Sequence, residues 1–362
     1  MLYVGRASFK KPHVSHQERE DSIKQDTIPC FHCRESGSLC ICDKKPIVSR
    51  ASPRHQSNTI PARTYPATSY HYHYQLEHRH LENTNYSRLA LQIMAESQKT
   101  DALYQRDVSL KTLETTISGV TPISDLPPNL QSLFKAPDSG VPFVVATPRT
   151  IFHAQGGGQP TDTGSISSGE NAVFKVHQVR KAGPAILHMG TFSPTGATFG
   201  VGEEVKQVVD WDARVLHSRL HTAGHVLSLA IHGLSKTGVL PGDLKEVKAS
   251  HYPGAAFVEF QGLVLGDKKG VMQERVDELV RQDLDVKIHF WTEEEAKQKC
   301  AVVLEGVKGG EEGVRVVEIG EIGSYPCGGT HVGSLGHLGR VVVRNIKRQK
   351  GISKISYGVA DA

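Results

Sequence analysis

Residues 212–234, "DARVLHSRLHTAGHVLSLAIHGL", form the strongest local pattern in the chain and decide how the flanking segments are interpreted. Apolar residues recur there at spacings of three and four, which gives a helix one broad apolar side. That side is formed by Val215, Leu216, Leu220, Ala223, Val226, Leu227 and Leu229. The stretch therefore predicts a long amphipathic helix packed against a core.

Two histidines of this predicted helix, His221 and His225, are four residues apart and lie one turn apart on the same face. They can share a metal ion there, although an isolated H-x-x-x-H is more often a pair of packed or solvent-facing histidines. Thr222 stands where the zinc-protease motif H-E-x-x-H has its glutamate, which argues against a metalloprotease.

A second pair of metal-binding residue types lies further along the chain in "PCGGTH", residues 326–331. Cys327 and His331 enclose Gly328 and Gly329, and glycine tolerates backbone angles that turn both side chains inward. Thiolate and imidazole are preferred ligands of zinc, which takes four ligands or three plus water. On chemistry alone, a zinc site and a coincidence of two pairs are equally good explanations.

Composition limits the class of protein. The chain has 362 residues, enough for two domains, with 38% hydrophobic residues and a net charge of +4, which is compatible with a polyanionic partner. Six cysteines in a chain this long do not make a disulfide scaffold. The sequence has neither a long apolar run nor the apolar segment of a secretory signal. It therefore predicts a cytoplasmic protein that does not interact with membranes.

Three segments of the chain differ in amino-acid composition and in periodicity. Residues 1–98 are rich in His, Tyr, Ser, Pro and Asn without periodicity, which predicts a mostly disordered tail. Residues 99–210 contain short β-rich runs separated by Gly and Pro, which predicts a small β-barrel domain. Residues 211–362 intersperse helices with strands, which predicts a second domain with an antiparallel sheet. The predicted fold class is α+β.

The tail contains four cysteines in a C-x2-C-x6-C-x-C arrangement: Cys30, Cys33, Cys40 and Cys42. Such a cluster can bind zinc as a small knuckle, but the loop is short and its flanks offer no core. A disordered tail or an erroneous gene-model extension explains them better than a working zinc module. Cys300, in "AKQKCAVVL", is predicted to occupy a buried helix position.

Taken together, "HTAGH" and "PCGGTH" resemble the paired motifs of the editing domain of alanyl-tRNA synthetase and of its free-standing AlaX relatives. The segments "FHAQGGGQPTDTGSI" (152–166), "VRVVEIG" (314–320) and "GISKISYGV" (351–359) also match the family pattern, in the family's order. The resemblance covers roughly residues 100–362 and is to the medium-length members.

The resemblance implies that His221, His225, Cys327 and His331 bind Zn²⁺ in an editing domain over residues 211–362. It implies hydrolysis in trans of mischarged tRNA(Ala), chiefly Ser-tRNA(Ala), with Gly-tRNA(Ala) as a candidate second substrate and without a stable protein partner. Whether His331 binds the ion throughout or yields to water or substrate stays open. Two alternatives also stay open: a non-catalytic zinc-containing tRNA-binding or regulatory protein, and an editing enzyme for Ser-tRNA(Thr).

The remaining candidate site residues are assigned with this resemblance in mind. The resemblance implies that Gly156, Gly157 and Gly158 contact the substrate, whereas the loop taken alone is better explained as a β-turn between two barrel strands. The candidate catalytic residues are Gln159 and Asp162, which could hydrogen-bond the amino acid or the terminal adenosine.

A basic cluster follows the second motif and contains Arg344, Lys347 and Arg348. These side chains are expected to contact tRNA phosphates, although each one alone is equally explained as part of a charged solvent face.

Overall fold

The computed structural model of the chain describes residues 99–137, 139–169, 172–301 and 309–360. All of them belong to one compact unit, Pro66–Ala362. The predictions made above for residues 1–98, including the four cysteines of the tail, fall outside the described residues. Within the part described, none of the helices combines the length and hydropathy that a bilayer-spanning segment needs.

The first half of this unit is built almost entirely of short strands. The strands are β1 (Asp101–Ala102), β2 (Thr112–Thr116), β3 (Gly119–Pro122), β4 (Pro142–Ala146), β5 (Arg149–Thr150), β6 (Gly164–Ser168), β7 (Ala172–Ala182), β8 (Ala185–Ser193) and β9 (Glu204–Val209). One four-residue helix, α1 (Pro128–Gln131), lies between β3 and β4. Strands β1 and β5 form a small parallel pair. The other seven form one antiparallel sheet in the order β2-β9-β6-β7-β8-β4-β3.

This seven-stranded sheet curls into a half-barrel whose two edge strands, β2 and β3, are consecutive in the chain. The two residues between them pair in different directions. Ile117 donates its N–H to the carbonyl of Glu203 beside β9, and Ser118 donates to Ala146 of β4. Alternate residues are buried in the first part of β7 (Ala172, Phe174 and Val176), as the two-residue side-chain period of a strand requires when one face covers a core, and a bulge between Val176 and Gln178 then shifts the period.

The second half combines helices with two smaller antiparallel sheets. Its elements are α2 (Trp211–Lys236), β10 (Lys245–Ser250), β11 (Phe257–Gln261), α3 (Lys269–Arg281), β12 (Val286–Trp291), α4 (Glu293–Lys299), β13 (Val314–Ile319), β14 (Gly323–Pro326), β15 (Arg340–Gln349) and β16 (Ile352–Ala360). The sheets have the orders β10-β11-β16-β15 and β12-β13-β14. A mixed α+β fold with antiparallel sheets is thus confirmed.

Helix α2 is the long amphipathic helix that the sequence predicts. Asp210 caps it by accepting a hydrogen bond from Ala213 N at 3.2 Å, which satisfies one of the free N–H groups of the first turn. The apolar side of the helix packs on the four-stranded sheet, where Phe260 of β11 and Ile355 of β16 are fully buried. This packing fixes the height and rotation of every other side chain on α2.

The prediction for Cys300 is wrong about the helix position and about full burial. Helix α4 ends at Lys299, and Cys300 follows it as the C-cap with extended backbone angles and a partly buried side chain that packs against Ala296, Val314 and Val316. The charged run that starts this helix favours its N-terminal turn, because acidic side chains complement the positive end of the helix dipole.

The half-barrel core contains a histidine whose ionisation opposes folding. His188 is fully buried; its Nδ1–H donates to the Val145 carbonyl at 3.1 Å and Nε2 accepts from Thr150 Oγ1 at 2.8 Å. Burial lowers the pKa of His188 from 6.5 to about 4. The folded state therefore keeps the neutral imidazole at a pH where the unfolded chain is already protonated.

This shift predicts a specific acid sensitivity. The contribution of His188 to stability is complete above pH 6.5 and is lost as the pH falls towards 4. Between pH 7.5 and 4.5, His188→Phe should lose about 2.5 kcal/mol less free energy of unfolding than the unsubstituted protein. Urea unfolding of both proteins at the two pH values measures this difference. Equal losses in the two proteins would contradict the assignment.

Candidate metal centre

Four side chains from two distant segments converge at the middle of α2. His221 and His225 come from the helix, while Cys327 and His331 come from the loop after β14. One potential ligand atom from each lies within 4.8 Å of the other three. The prediction that the two pairs meet is confirmed by this geometry.

The cysteine sulfur is the centre of the cluster. Sγ of Cys327 lies 3.4 Å from Nε2 of His221 and 3.3 Å from Nε2 of His331. Ligands of a tetrahedral zinc ion are separated by roughly 3.3–3.6 Å, given the usual Zn–N and Zn–S bond lengths. Nδ1 of His225 is enclosed and has no hydrogen-bond partner among the described residues. A metal ion therefore fits this donor set.

Each histidine that meets the sulfur is oriented through its other ring nitrogen. Nδ1–H of His221 donates to Oε1 of Gln159 at 2.7 Å, and Nδ1 of His331 bonds Oγ1 of Thr222 at 3.0 Å. Such contacts fix the tautomer and the ring plane of a ligating histidine, so that Nε2 presents its lone pair to the ion. Thr222, which replaces the protease glutamate, thus has a defined position in this site.

Electrostatics favour neutral imidazoles. Burial, with neighbouring histidines adding to it, lowers the pKa of His221 and His331 well below 6.5, and burial lowers the pKa of His225 to about 3. Burial raises the pKa of the Cys327 thiol, opposed by the N–H of Gly329 and the cation of Arg315. A metal ion bound here would therefore displace the proton of the thiol, while the imidazoles are already neutral.

The second glycine of "PCGGTH", Gly329, is required because no side chain fits at this position. A Cβ on Gly329 would lie 2.3 Å from Nδ1 of His221 and 2.7 Å from Oε1 of Gln159. Only glycine leaves room for that hydrogen bond. Its neighbour Thr330 completes the arrangement, since its N–H donates to Oε1 of Gln159 at 2.9 Å and its Oγ1 accepts from Nε2 at 2.8 Å.

The glycine loop is a tight turn of the half-barrel. Gly156 and Gln159 pair across it, and Gly157 and Gly158 between them have positive φ values of 56° and 78°. Glycine adopts such angles without strain. The N–H groups of these two glycines have no hydrogen-bond partner among the described residues. The turn positions Gln159 against α2 and leaves two donors at its tip.

Asp162 is engaged in a buried ion pair. Its carboxylate accepts hydrogen bonds from Nε of Arg214 on α2, at 3.1 and 3.0 Å, and from His153 N at 2.6 Å. Arg214 also donates to the Ile151 carbonyl at 2.6 Å. The pair ties the loop that follows the glycine turn to the first turn of α2. Sequence reasoning did not identify Arg214, because its apolar neighbours give no sign of a buried charge.

The basic cluster is divided between the faces of β15. Lys347 pairs with Lys354 and Arg348 with Ser353, so the two consecutive side chains point to opposite faces. Arg344 lies at a bulge in this strand, and its guanidinium covers Gly358. All three predicted residues are exposed.

Sequence reasoning also missed His251, which is buried directly beside the ligands. Its ring stacks on His221 with centroids 4.1 Å apart. Its Nδ1 lies 2.6 Å from the Tyr357 hydroxyl. A single histidine at the end of a strand gives no spacing signal, so the sequence alone could not reveal this position.

Comparisons with known proteins agree with this architecture. Residues 69–213 match the family model of class II (A) tRNA synthetases, and residues 314–356 match the second additional domain of threonyl and alanyl tRNA synthetases. The chain therefore contains two segments that are similar to parts of aminoacyl-tRNA synthetases.

Similarity to individual proteins identifies the family to which the chain belongs. The chain is 30% identical over 238 residues to the alanyl-tRNA editing protein AlaX-M of Methanosarcina barkeri, covering 64% of this chain and 87% of that protein. It is 32% identical over 216 residues to AlaX-L of Pyrococcus horikoshii, covering 59% of this chain and half of that protein. The alanine–tRNA ligase of Saccharopolyspora erythraea is 32% identical over 208 residues, but the match spans only 23% of its length. The chain belongs to the AlaX family of alanyl-tRNA editing proteins.

The contact between Gln159 and His221 generates a prediction about metal affinity. Gln159→Leu removes the acceptor that orients His221, so the affinity for Zn²⁺ should fall about 10- to 100-fold. Competition with a chromophoric chelator measures this constant. Gln155→Leu is the matched control, because Gln155 lies four residues earlier with an exposed side chain and should bind metal normally. Equal affinity of the two variants would contradict the orienting role.

Proposed function

We propose that this chain is a trans-acting aminoacyl-tRNA deacylase that hydrolyses Ser-tRNA(Ala), with Gly-tRNA(Ala) as a candidate second substrate. The observation that carries the proposal is the convergence of four ligand atoms within 4.8 Å beside a glycine turn. Membership of a family whose relatives are named alanyl-tRNA editing proteins supports it. A deacylase of this kind meets a physical need, because an alanine pocket cannot exclude glycine by size and rejects an added hydroxyl only about a hundredfold.

The proposed cofactor is Zn²⁺, held by His221, His225, Cys327 and His331. One thiolate and three imidazoles are a donor set that zinc prefers. When bound, the ion would supply a positive charge that can polarise the ester carbonyl or lower the pKa of a water molecule.

The protein's own groups have separate roles in this proposal. The free N–H groups of Gly157 and Gly158 are donors for a carbonyl or phosphate oxygen of the aminoacylated terminus. For Gln159 and Asp162 we propose positioning roles. The Gln159 carboxamide is hydrogen-bonded to His221 and Thr330, and the Asp162 carboxylate is hydrogen-bonded to Arg214. These bonds hold the glycine turn and His221 in place.

One assay tests the function and its rivals together. Metal-loaded protein is incubated with Ser-tRNA(Ala), Gly-tRNA(Ala), Ala-tRNA(Ala) and Ser-tRNA(Thr), and the loss of ester is followed. Faster hydrolysis of Ser-tRNA(Ala) than of Ala-tRNA(Ala) is expected. Preference for Ser-tRNA(Thr) would favour the threonyl alternative, for which the family description of residues 314–356 gives a reason. No turnover by folded, metal-loaded protein would favour a non-catalytic tRNA-binding protein.

The proposed ligand role of Cys327 generates a prediction about metal content and deacylation rate. Cys327→Ser replaces the thiolate by a poor zinc ligand and should lower both bound metal and the deacylation rate, the rate by at least about a hundredfold. Cys300→Ser is the control, since Cys300 is the other cysteine among the described residues and lies outside the cluster. Metal analysis and single-turnover deacylation check both variants. Full activity of a metal-free Cys327→Ser protein would refute the assignment.

The proposed contact between the basic cluster and tRNA phosphates generates a prediction about tRNA affinity. Replacing Arg344, Lys347 and Arg348 by Gln should raise the Kd for tRNA and reduce its salt dependence, by roughly one unit of slope per lost phosphate contact. Filter binding at several salt concentrations measures both quantities. A variant in which Lys269, Arg275 and Arg281 of α3 are replaced by Gln removes the same three charges and controls for net charge. If both variants behave alike, the cluster does not form a specific tRNA contact.

Single substitutions then decide which face of β15 is used. Because Lys347 and Arg348 point to opposite faces, a tRNA bound to one face should depend on only one of them.

A further inference from the structure

His251 occupies a slot that two glycines create. A Cβ on Gly224, between the two helical ligands, would lie 2.6 Å from Cε1 of His251 and 2.6 Å from the hydroxyl of Tyr357. A Cβ on Gly158 of the glycine turn would lie 3.2 Å from Cδ2 of His251. Glycine in the middle of a helix is destabilising relative to alanine. The sequence therefore tolerates a weaker helix at the position that admits this ring.

The backbone and one ring nitrogen of His251 are fixed. Its N–H donates to the Gly158 carbonyl at 2.9 Å. The Tyr357 hydroxyl donates its proton to the Leu220 carbonyl at 3.0 Å, so its oxygen accepts from Nδ1–H of His251. This arrangement selects the tautomer whose lone pair lies on Nε2.

The Nε2 lone pair faces the gap between the glycine turn and α2. Within the imidazole ring, Nε2 lies between Cδ2, which is close to Gly158, and Cε1, which is close to Gly224. The ring of His221 stacks against this ring. None of the described residues hydrogen-bonds this nitrogen, and it is not among the fully enclosed atoms. The acceptor is therefore available to a molecule that enters the site.

The neighbouring polar side chains are already satisfied by one another. Thr330 Oγ1 is bonded to Gln159 and to Ser218, and Thr222 Oγ1 accepts from Val332 N while bonding His331. They have no free role in distinguishing one amino acid from another. His251 Nε2 remains as a rigid, unpaired acceptor beside the metal ligands.

We propose that Nε2 of His251 accepts a hydrogen bond from the side-chain hydroxyl of the seryl group and so makes the site specific for serine over alanine. This inference rests on the proposed deacylase function. Alanine is smaller than serine by that hydroxyl, so the pocket cannot exclude it by size. A buried acceptor left unpaired by the methyl group of alanine disfavours it, and sites that hydrogen-bond a substrate hydroxyl can reject the analogue that lacks it very strongly.

The test compares His251→Phe with the unsubstituted protein in two assays. The first is binding of two non-hydrolysable probes, 3′-seryl- and 3′-alanyl-amino-3′-deoxyadenosine, by the metal-loaded full chain. The second is deacylation of Ser-, Gly- and Ala-tRNA(Ala). We expect the preference for the seryl probe, and the Ser/Ala ratio of kcat/KM, to fall roughly tenfold to a hundredfold. Hydrolysis of Ala-tRNA(Ala) should rise, because the methyl group of alanine then no longer faces an unpaired acceptor.

Two further variants make the result interpretable. His251→Gln offers an amide oxygen as acceptor and should retain part of the seryl preference. His232→Phe, on the same helix as the ligands but packed against Phe260, should behave like the unsubstituted protein. Unchanged metal content and thermal unfolding show that His251→Phe is folded.

The outcomes separate this inference from the proposed function. A parallel fall in hydrolysis of all three substrates, or an unchanged seryl preference, would overturn the specificity role of His251. If the unsubstituted protein hydrolyses none of the substrates, the proposed function fails, and the probe-binding ratio still decides the role of His251.

Discussion

The hydrogen bond from Nδ1 of His221 to Oε1 of Gln159 joins the half-barrel to the helix that carries two of the ligands. It depends on the absence of a Cβ at Gly329 and is supported by the buried ion pair between Asp162 and Arg214. Truncating one partner of such a pair leaves a buried charge uncompensated, which is strongly destabilising. The half-barrel therefore contributes directly to the candidate metal centre through the bond between Gln159 and His221. The position of the glycine turn decides the direction of the His221 lone pair.

Glycine has three different functions in this site. Gly157 and Gly158 adopt positive φ values that form the turn, Gly329 makes room for the bond between Gln159 and His221, and Gly224 admits His251 against α2. In each case a side chain or a negative φ would displace a group near the metal ligands. The same local sequences that resemble flexible turns thus surround an arrangement in which His221 and His331 are each oriented by a hydrogen bond from Nδ1.

Each pair could be recognised in the sequence because a helix imposes a fixed geometry on residues four apart and two glycines let Cys327 and His331 turn inward, whereas the joining of the two pairs into one site was implied by the family resemblance. The half-barrel strands were also predictable from Gly and Pro punctuation. By contrast, Arg214 and His251 depend on which strand or turn packs against α2, which no local period encodes. The separation of Lys347 from Arg348 follows from strand register, so a cluster in sequence did not become a patch on one face.

The central claim is that one sulfur and three nitrogens from this fold bind zinc. X-ray absorption at the zinc edge measures that ligand shell directly. The full chain with Cys30, Cys33, Cys40 and Cys42 replaced by serine excludes any contribution from the tail. We predict stoichiometric zinc with one sulfur at about 2.3 Å and two or three imidazole nitrogens at about 2.0–2.1 Å. A protein that binds no zinc, or a shell without sulfur, would contradict the account.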